Sequence, residues 1–253
     1  MDVNIKLQDE YNQFYNDDIA SWRELGAKAK TKNIITLAVG LQFKKVLEVG
    51  AGDGAILQNL NDIDFCNELY ALEISDSGIK KIEERNLKSL KQVLKFDGYS
   101  IPFKDQEFDL VYCSHVIEHV EHPRILLREI KRISKYQIFE VPIDFSFSVD
   151  KKVDHFLSYG HINIFTPSLF KFLLRSEGFE IMKGISKLLD NLVNRQILNS
   201  KKKELSFIKY LIFKFKTYLV RFVWNILPLK FKDIKPQTYS VLTRSTDKTL
   251  EIK

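Results

Sequence analysis

With 253 residues and 45% hydrophobic side chains, the chain is long enough to bury the core of one α/β domain with some decoration. Two cysteines, Cys66 and Cys113, sit in apolar contexts, which excludes a disulfide scaffold or a cysteine metal site and reads as buried thiols in a reducing compartment. The net charge of +6 is local: Lys201 to Lys235 carries ten Lys/Arg against Glu204 and Asp233, while the remainder nearly balances. Such a segment is either a solvated helix face or a surface for an anionic partner. The opening MDVNIKLQDEYNQFYNDD is acidic and polar, unlike a secretory signal, and gives the expectation of a cytoplasmic protein, with a peripheral place at the inner membrane face as the alternative.

In chain order, residues 5–38 read as two helices, with Tyr11, Phe14, Tyr15, Ile19, Trp22 and Leu25 forming an apolar stripe. Lys44–Val49 reads as a first strand, Asp53 to Asn61 as a helix and Glu68–Ile74 as a second strand. Ser75-Asp76-Ser77 starts a helix running toward Leu87. Gln92–Phe96 and Glu107–Cys113 are the third and fourth strands. A helix opens at Pro123 and runs to Ser134, and the fifth strand is Tyr136–Val141. Thr166-Pro167 opens a helix through Ser176, Phe179–Met182 begins the sixth strand, and Thr238–Thr243 is the seventh. Strands alternating with helices predict a parallel, doubly wound, Rossmann-like α/β sheet of seven strands. It has an N-terminal helical cap (1–40) and a basic helical insertion (186–236) before the last strand. All belong to one domain, 1–253.

The most informative stretch is Val46-Leu47-Glu48-Val49-Gly50-Ala51-Gly52-Asp53-Gly54. A buried strand ends in alternating glycines, which permit a sharp turn and leave room for a ligand. The following helix points its free N–H groups into the crevice above the sheet. The spacing E-x-G-x-G-x-G departs from the G-x-G-x-x-G of a dinucleotide site. A carboxylate there would repel a pyrophosphate and favour a cationic ligand; S-adenosylmethionine, with a sulfonium, an ammonium and no phosphate, fits. Glu48, Gly50, Glu73, Asp97 and His115 all fall at or just after strand ends, where ligands of such sheets bind.

With FDGYSIPFKDQEFDLVYCSHVIEHVEHP and GHINIFTPSLFKFLLRSEGFEI, the chain resembles the class I S-adenosylmethionine-dependent methyltransferases, in the type 11 branch. The likeness spans roughly residues 40–184 and returns at Thr238–Thr243. It implies that Glu48 and the backbone at Gly50 and Gly52 serve the methionine part of the cofactor. Glu73, with Ile74 beside it, would accept from the ribose hydroxyls, Asp97 would accept from the adenine amino group beside Gly98, and Ser114 and His115 would lie near the sulfonium. Each acid also has a plainer reading, Glu73 as a helix cap and Asp97 as a turn former.

Methyl transfer asks the protein to position a nucleophile and exclude water. A hydroxyl acceptor also loses its proton, a task that suits histidine. His115 is the first candidate base. His155 and His161, in the connection VDHFLSYGHINIF that should roof the acceptor pocket, are the others. With Tyr159 and the N-terminal Tyr11 and Tyr15 they are the candidate substrate-binding residues, while His119 and His122 read as residues orienting their loop. His115-Val116-Ile117-Glu118-His119 also spells H-x-x-E-H, the inverted zinc-peptidase spacing. That motif needs a third ligand and a peptidase scaffold, so it reads as coincidence and no metal is expected.

In Leu205–Leu229, Lys209, Lys214, Lys216, Thr217, Arg221 and Asn225 share one half of a helical wheel, and Ile208, Leu211, Ile212, Phe215, Tyr218, Leu219, Phe222, Val223 and Ile226 the other. Its apolar runs are too short to span a bilayer. Such a helix packs on its own domain, as lid or dimer face, or lies on a membrane surface, packing being the commoner outcome. Similar insertions in relatives that modify cell-surface polysaccharide or its activated sugars lead to the expected function: an O-methyltransferase for a sugar hydroxyl of a nucleotide-activated sugar or of a capsule or lipopolysaccharide precursor. The alternatives are a quinone or lipid O-methyltransferase at the membrane and a non-catalytic S-adenosylmethionine-binding regulator. No nucleic-acid partner is expected: there is no N-P-P-Y-like segment and no recognition module.

Overall fold

The computed structural model describes residues 20–146, 149–233 and 236–246. The first helix, α1, is Ala20–Ala38; Tyr11 and Tyr15, and the earlier of the two expected helices, lie outside the described residues. Then follow β1 (Lys45–Val49), α2 (Ala55–Asp62), β2 (Glu68–Glu73), α3 (Asp76–Glu84), β3 (Leu90–Lys95), β4 (Phe108–Ser114), a 3-10 turn (Ile117–His119), α4 (Pro123–Ile133) and β5 (Ser134–Pro142). The second half holds a 3-10 turn (Val149–Lys152), α5 (Val153–Leu157), α6 (Pro167–Ser176), β6 (Phe179–Lys187), α7 (Asn191–Glu204), α8 (Phe207–Ile226), α9 (Leu229–Lys232) and β7 (Thr238–Ser245).

These strands form one seven-stranded sheet in the order β3-β2-β1-β4-β5-β7-β6. The first five are parallel, and β7 runs antiparallel between β5 and β6. The sheet is Rossmann-like and doubly wound as expected, but mixed rather than parallel throughout, because β7 is antiparallel to both its neighbours. The order reverses between β1 and β4, and that switch point opens the crevice above the strand ends.

Side chains alternate across each strand, so β1, β4 and β5 send one row to each face. Leu47, Val49, Val111, Cys113, Phe139 and Val141 meet Leu126, Leu127, Ile130 and Ile133 of α4 and Phe170 and Leu174 of α6. Val46, Leu110, Tyr112 and Ile138 meet Ala27, Ile34 and Leu37 of α1 and Leu57 and Leu60 of α2. Burial on both faces explains why the strands read as near-continuous apolar runs. Local caps fix the crossovers: Ser75 Oγ accepts from Gly78 N, and Thr166 Oγ1 accepts from Leu169 N ahead of Pro167.

β6, which begins at Phe179 as expected, runs on to Lys187. Its ladder with β7 continues past a bulge at Ile181/Lys183, and Lys183 and Gly184 break the apolar alternation that would have marked it. Gly184 is bare because a Cβ there would stand 2.3 Å from the hydroxyl of Tyr239.

The basic helix meets its own domain along one line only, and that line is not its apolar half. No residue of α8 is buried. Tyr210, Phe213, Thr217, Arg221 and Trp224 are its partly covered line, and Arg221 donates to the carbonyl of Leu189 at 2.8 Å. Phe207, Ile208, Leu211, Ile212, Phe215, Leu219, Phe222 and Ile226 stand exposed on the opposite side. No described helix is long and apolar enough to cross a membrane.

Phe139 is fully buried, edge-on to Phe170 and Phe179, and joins β5 to α6 and β6. Phe139→Ala is expected to destabilise the fold by about 3–5 kcal/mol, measured as a lower urea midpoint; a change below about 1 kcal/mol would contradict this packing.

Candidate active site

The crevice is shaped first by backbone. Gly50 and Gly52 adopt left-handed conformations, φ 74 and 58, which favour glycine. Gly50 N and Ala51 N donate to Leu72 O at 2.9 and 3.0 Å, turning the chain across the end of β2. A Cβ on Gly50 would meet Val116 at 2.3 Å, and one on Gly78 would meet Gly52 O at 2.7 Å. The loop is also gripped from α1 and α3: Arg23 Nε donates to Asp53 Oδ2 at 2.7 Å, and Arg85 Nε to Asp53 O at 2.6 Å.

Strand parity then places a polar row on the face toward α1. Glu48 is buried and accepts from Tyr112 Oη at 2.7 Å; burial holds its carboxyl well above the usual range despite that bond. On β5, Glu140 accepts from Asn33 Nδ2 at 2.7 Å and Ser240 Oγ at 2.6 Å. Burial alone would raise its pKa, but His115, Lys30 and Ser240 outweigh it and hold it at about 2. Ser114 pairs with Glu140 in the ladder, and its buried Oγ has no hydrogen-bond partner among the described residues.

At the end of β2, Glu73 ties two loops together. Its Oε2 accepts from Gly52 N at 2.8 Å, and its Oε1 from Ser75 N and Oγ at 3.1 and 2.7 Å. The expected capping alternative for Glu73 therefore falls to Ser75, the actual cap. Burial raises the Glu73 pKa against these bonds. Ile74 follows, half-buried against the core. Asp97 is exposed and does form a turn: Oδ1 accepts from Tyr99 N at 2.8 Å and Ser100 N at 2.7 Å. Burial pushes its pKa up, and those N–H groups outweigh it and hold the carboxyl low. Gly98 beside it has φ 90.

His115 follows β4 with φ 57. Its N–H donates to Glu140 O at 2.9 Å. Its Nε2 lies 3.3 Å from Glu140 Oε1 and its Nδ1 3.5 Å from Glu118 Oε1. Next to it, Gly160 to Asn163 is fastened to the 3-10 turn. Ile162 N and Asn163 N both donate to Glu118 O at 2.9 and 3.0 Å, and Asn163 Nδ2 donates to Val120 O at 2.7 Å. That brings His161 against His119, ring centroids 4.9 Å apart. His161 Nδ1 sits 2.6 Å from Asp144 Oδ2; burial would lower its pKa, but Asp144 and Glu118 raise it. His155 and Tyr159 are exposed, their rings 5.1 Å apart, and Tyr159 stands 6.1 Å from His161. His155 is thus at the outer end of the roof.

Lys30, Asn33, Tyr112 and Glu140 were not singled out by sequence, and Glu118 only as the acid of the H-x-x-E-H spacing. Lys30 acts on Glu48, Glu118 and Glu140 together. Its signal is only that Lys30 and Asn33 lie three apart on one helix face.

Residues 47–137 match the family model described as a methyltransferase domain. Over those residues the chain is similar to the methyltransferase domain, and its fold is the one found in class I methyltransferases. An uncharacterized protein of Methanocaldococcus jannaschii is 29% identical over 222 residues, 74% of this chain and 92% of that protein. The demethylmenaquinone methyltransferase of Thermotoga maritima is 25% identical over 176 residues, 59% of this chain and 76% of that one. Among solved structures, a SAM-dependent methyltransferase of Thermotoga maritima superposes with TM-score 0.61 at 18% identity, covering 94% of this chain and 99% of that one. The methyltransferase uses S-adenosylmethionine, and the left-handed glycines, the carboxyl groups at strand ends and the unpartnered Ser114 hydroxyl fit a cationic, hydrogen-bonding cofactor.

Gly50→Ala is expected to weaken S-adenosylhomocysteine binding at least tenfold, by calorimetry; unchanged affinity would contradict the steric role of that glycine. Glu140 has a folded pKa below its unfolded value, so its stabilisation is present above about pH 4.5 and lost as the pH falls toward 2. Glu140→Gln is therefore expected to remove a contribution of about 3 kcal/mol from the acid limb of the stability–pH curve; identical limbs in both proteins would refute it.

Proposed function

We propose that this methyltransferase transfers the methyl group to a hydroxyl of a quinone- or lipid-type acceptor at an anionic membrane surface. The observation that carries this reading is α8. Over twenty residues it has four basic side chains and no acid, its apolar row points away from the domain, and no residue in it is buried. Lys209 and Lys216 flank that row on one side and Lys214 on the other. Apolar face outward with flanking cations is the arrangement of a helix lying in the headgroup boundary, lysine stems snorkelling to anionic lipid. The sugar-nucleotide reading of the sequence rested on association with relatives; an outward apolar face favours an acceptor dissolved in the bilayer. The relative named as a demethylmenaquinone methyltransferase supports the quinone-type acceptor, though not the choice of a hydroxyl as the methylated group.

The cofactor would be held by the Gly50–Gly52 backbone and Glu48 at its methionine end, Glu73 and Ile74 at the ribose, and Asp97 and Gly98 at the adenine. It supplies an electrophilic methyl on a positively charged sulfur. His115 accepts the proton of the acceptor hydroxyl, and Glu140, held ionised, steadies the imidazolium formed. His161, Tyr159 and His155 line the acceptor side. The protein's remaining task is to exclude water from the crevice.

Sedimentation with vesicles rich in phosphatidylglycerol is expected to carry the protein down, and Phe215→Glu with Phe222→Glu to leave it in solution with S-adenosylhomocysteine affinity intact. Indifference to anionic vesicles would remove the membrane reading. In a screen of quinone precursors, lipids and nucleotide-sugars read by mass spectrometry, a hydroxyl of the first two classes should gain the methyl. His115→Asn should then lower kcat about a hundredfold or more, with little change in cofactor affinity.

A further inference from the structure

We infer that Glu118, His119 and His161 form a binding site for a divalent transition-metal ion, zinc being the best match to its ligands. One ligand atom from each of the three lies within 4.8 Å of the others. Glu118 is fully buried, and neither of its carboxylate oxygens has a hydrogen-bond partner among the described residues. A buried carboxylate left in that state is costly, and a cation between it and the two imidazoles removes the cost.

The rings are already set for ligation. His119 Nδ1 lies 3.0 Å from Gly160 O, and His161 Nδ1 lies 2.6 Å from Asp144 Oδ2. An imidazole that donates Nδ1–H to a carbonyl or a carboxylate has its lone pair on Nε2, the arrangement found behind metal-bound histidines. His119 Nε2 is 3.8 Å from Glu118 Oε1. Around zinc, ligand atoms stand roughly 3.4 Å apart, given bonds of about 2.0–2.1 Å, so small side-chain rotations close the set. The backbone needs no movement, because the hydrogen bonds from Ile162, Asn163 and the Asn163 amide already fasten one loop to the other.

Two imidazoles and one glutamate are a ligand set that leaves a coordination position open. The set differs from the peptidase motif discounted on sequence. Ile117–His119 is a 3-10 turn, so the second histidine comes from the roof segment, and His115 stays outside the set with its Nδ1 3.5 Å from Glu118. The open position therefore adjoins the candidate base. Resting on the reading of a hydroxyl acceptor, it is where an oxygen of that acceptor would bind; the ion site itself does not depend on that reading.

The test uses the full chain, dialysed against a chelator and then titrated with zinc, and in parallel with cobalt(II) read by its visible absorption. About one ion per chain is expected to remain after gel filtration, and His161→Ala to weaken binding at least tenfold while circular dichroism and the melting temperature stay near those of the parent. Glu118→Gln should do the same. If it unfolds instead, the His161 variant, on a half-buried side chain, decides. Substoichiometric zinc, or zinc retained equally by the His161 variant, overturns the site. S-adenosylhomocysteine calorimetry on the stripped protein keeps the two readings apart: intact cofactor binding with no metal sinks only the ion site.

Discussion

Four glutamates are buried at the carboxyl ends of the strands, and the arrangement around the crevice depends on how each is compensated. Glu48, Glu73, Glu118 and Glu140 come from β1, β2, the turn after β4 and β5, and none is more than 4% exposed. Burying a carboxyl is unfavourable unless hydrogen bonds or opposite charge offset it. Glu73 takes backbone and hydroxyl donors, Glu140 takes an amide, a hydroxyl and an imidazole, and Glu48 takes one phenol. Lys30 supplies one cation for Glu48, Glu118 and Glu140 together. The result is a region that is still under-compensated, and a ligand bearing positive charge is the natural complement. The sulfonium of the methyl donor would answer this on the cofactor side, and a bound cation would answer it at Glu118.

Sequence carried the parts of this that are local. The glycine turn, the acid at the tip of β2 and the Pro- and Thr-started helices are each encoded within a few residues, so their spacing was enough. Alternation of elements was enough for a doubly wound sheet with a crevice at its strand ends, but not for the strand order or the antiparallel β7. Tyr112 on Glu48 and Asn33 on Glu140 were not legible, because those contacts join residues 64 and 107 apart and each residue taken alone looks like ordinary strand or helix. The outward direction of α8 was hidden for a related reason. Its pattern fixes that one face is apolar, but which face meets the domain is decided by Arg221 reaching Leu189, a contact made across a helix junction.

His115 shows how the pieces constrain one another. A non-glycine residue in the left-handed region costs about 1–3 kcal/mol and persists only where the surroundings determine it. Here the determinants are visible: its own N–H is spent on Glu140 O, and its ring lies between the carboxylates of Glu118 and Glu140. The left-handed step also breaks β4 at the switch point and starts the 3-10 turn, which is what carries Glu118 back under the ring. A regular helix from His115 would instead have put both Glu118 and His119 on its own face, with the two histidines one turn apart as in the peptidase motif. The backbone conformation that departs from the peptidase motif's helix is therefore the same one that sets His115 against Glu118 and Glu140. Its tolerance in the fold is best understood as the consequence of a site that needs an imidazole held against two acids.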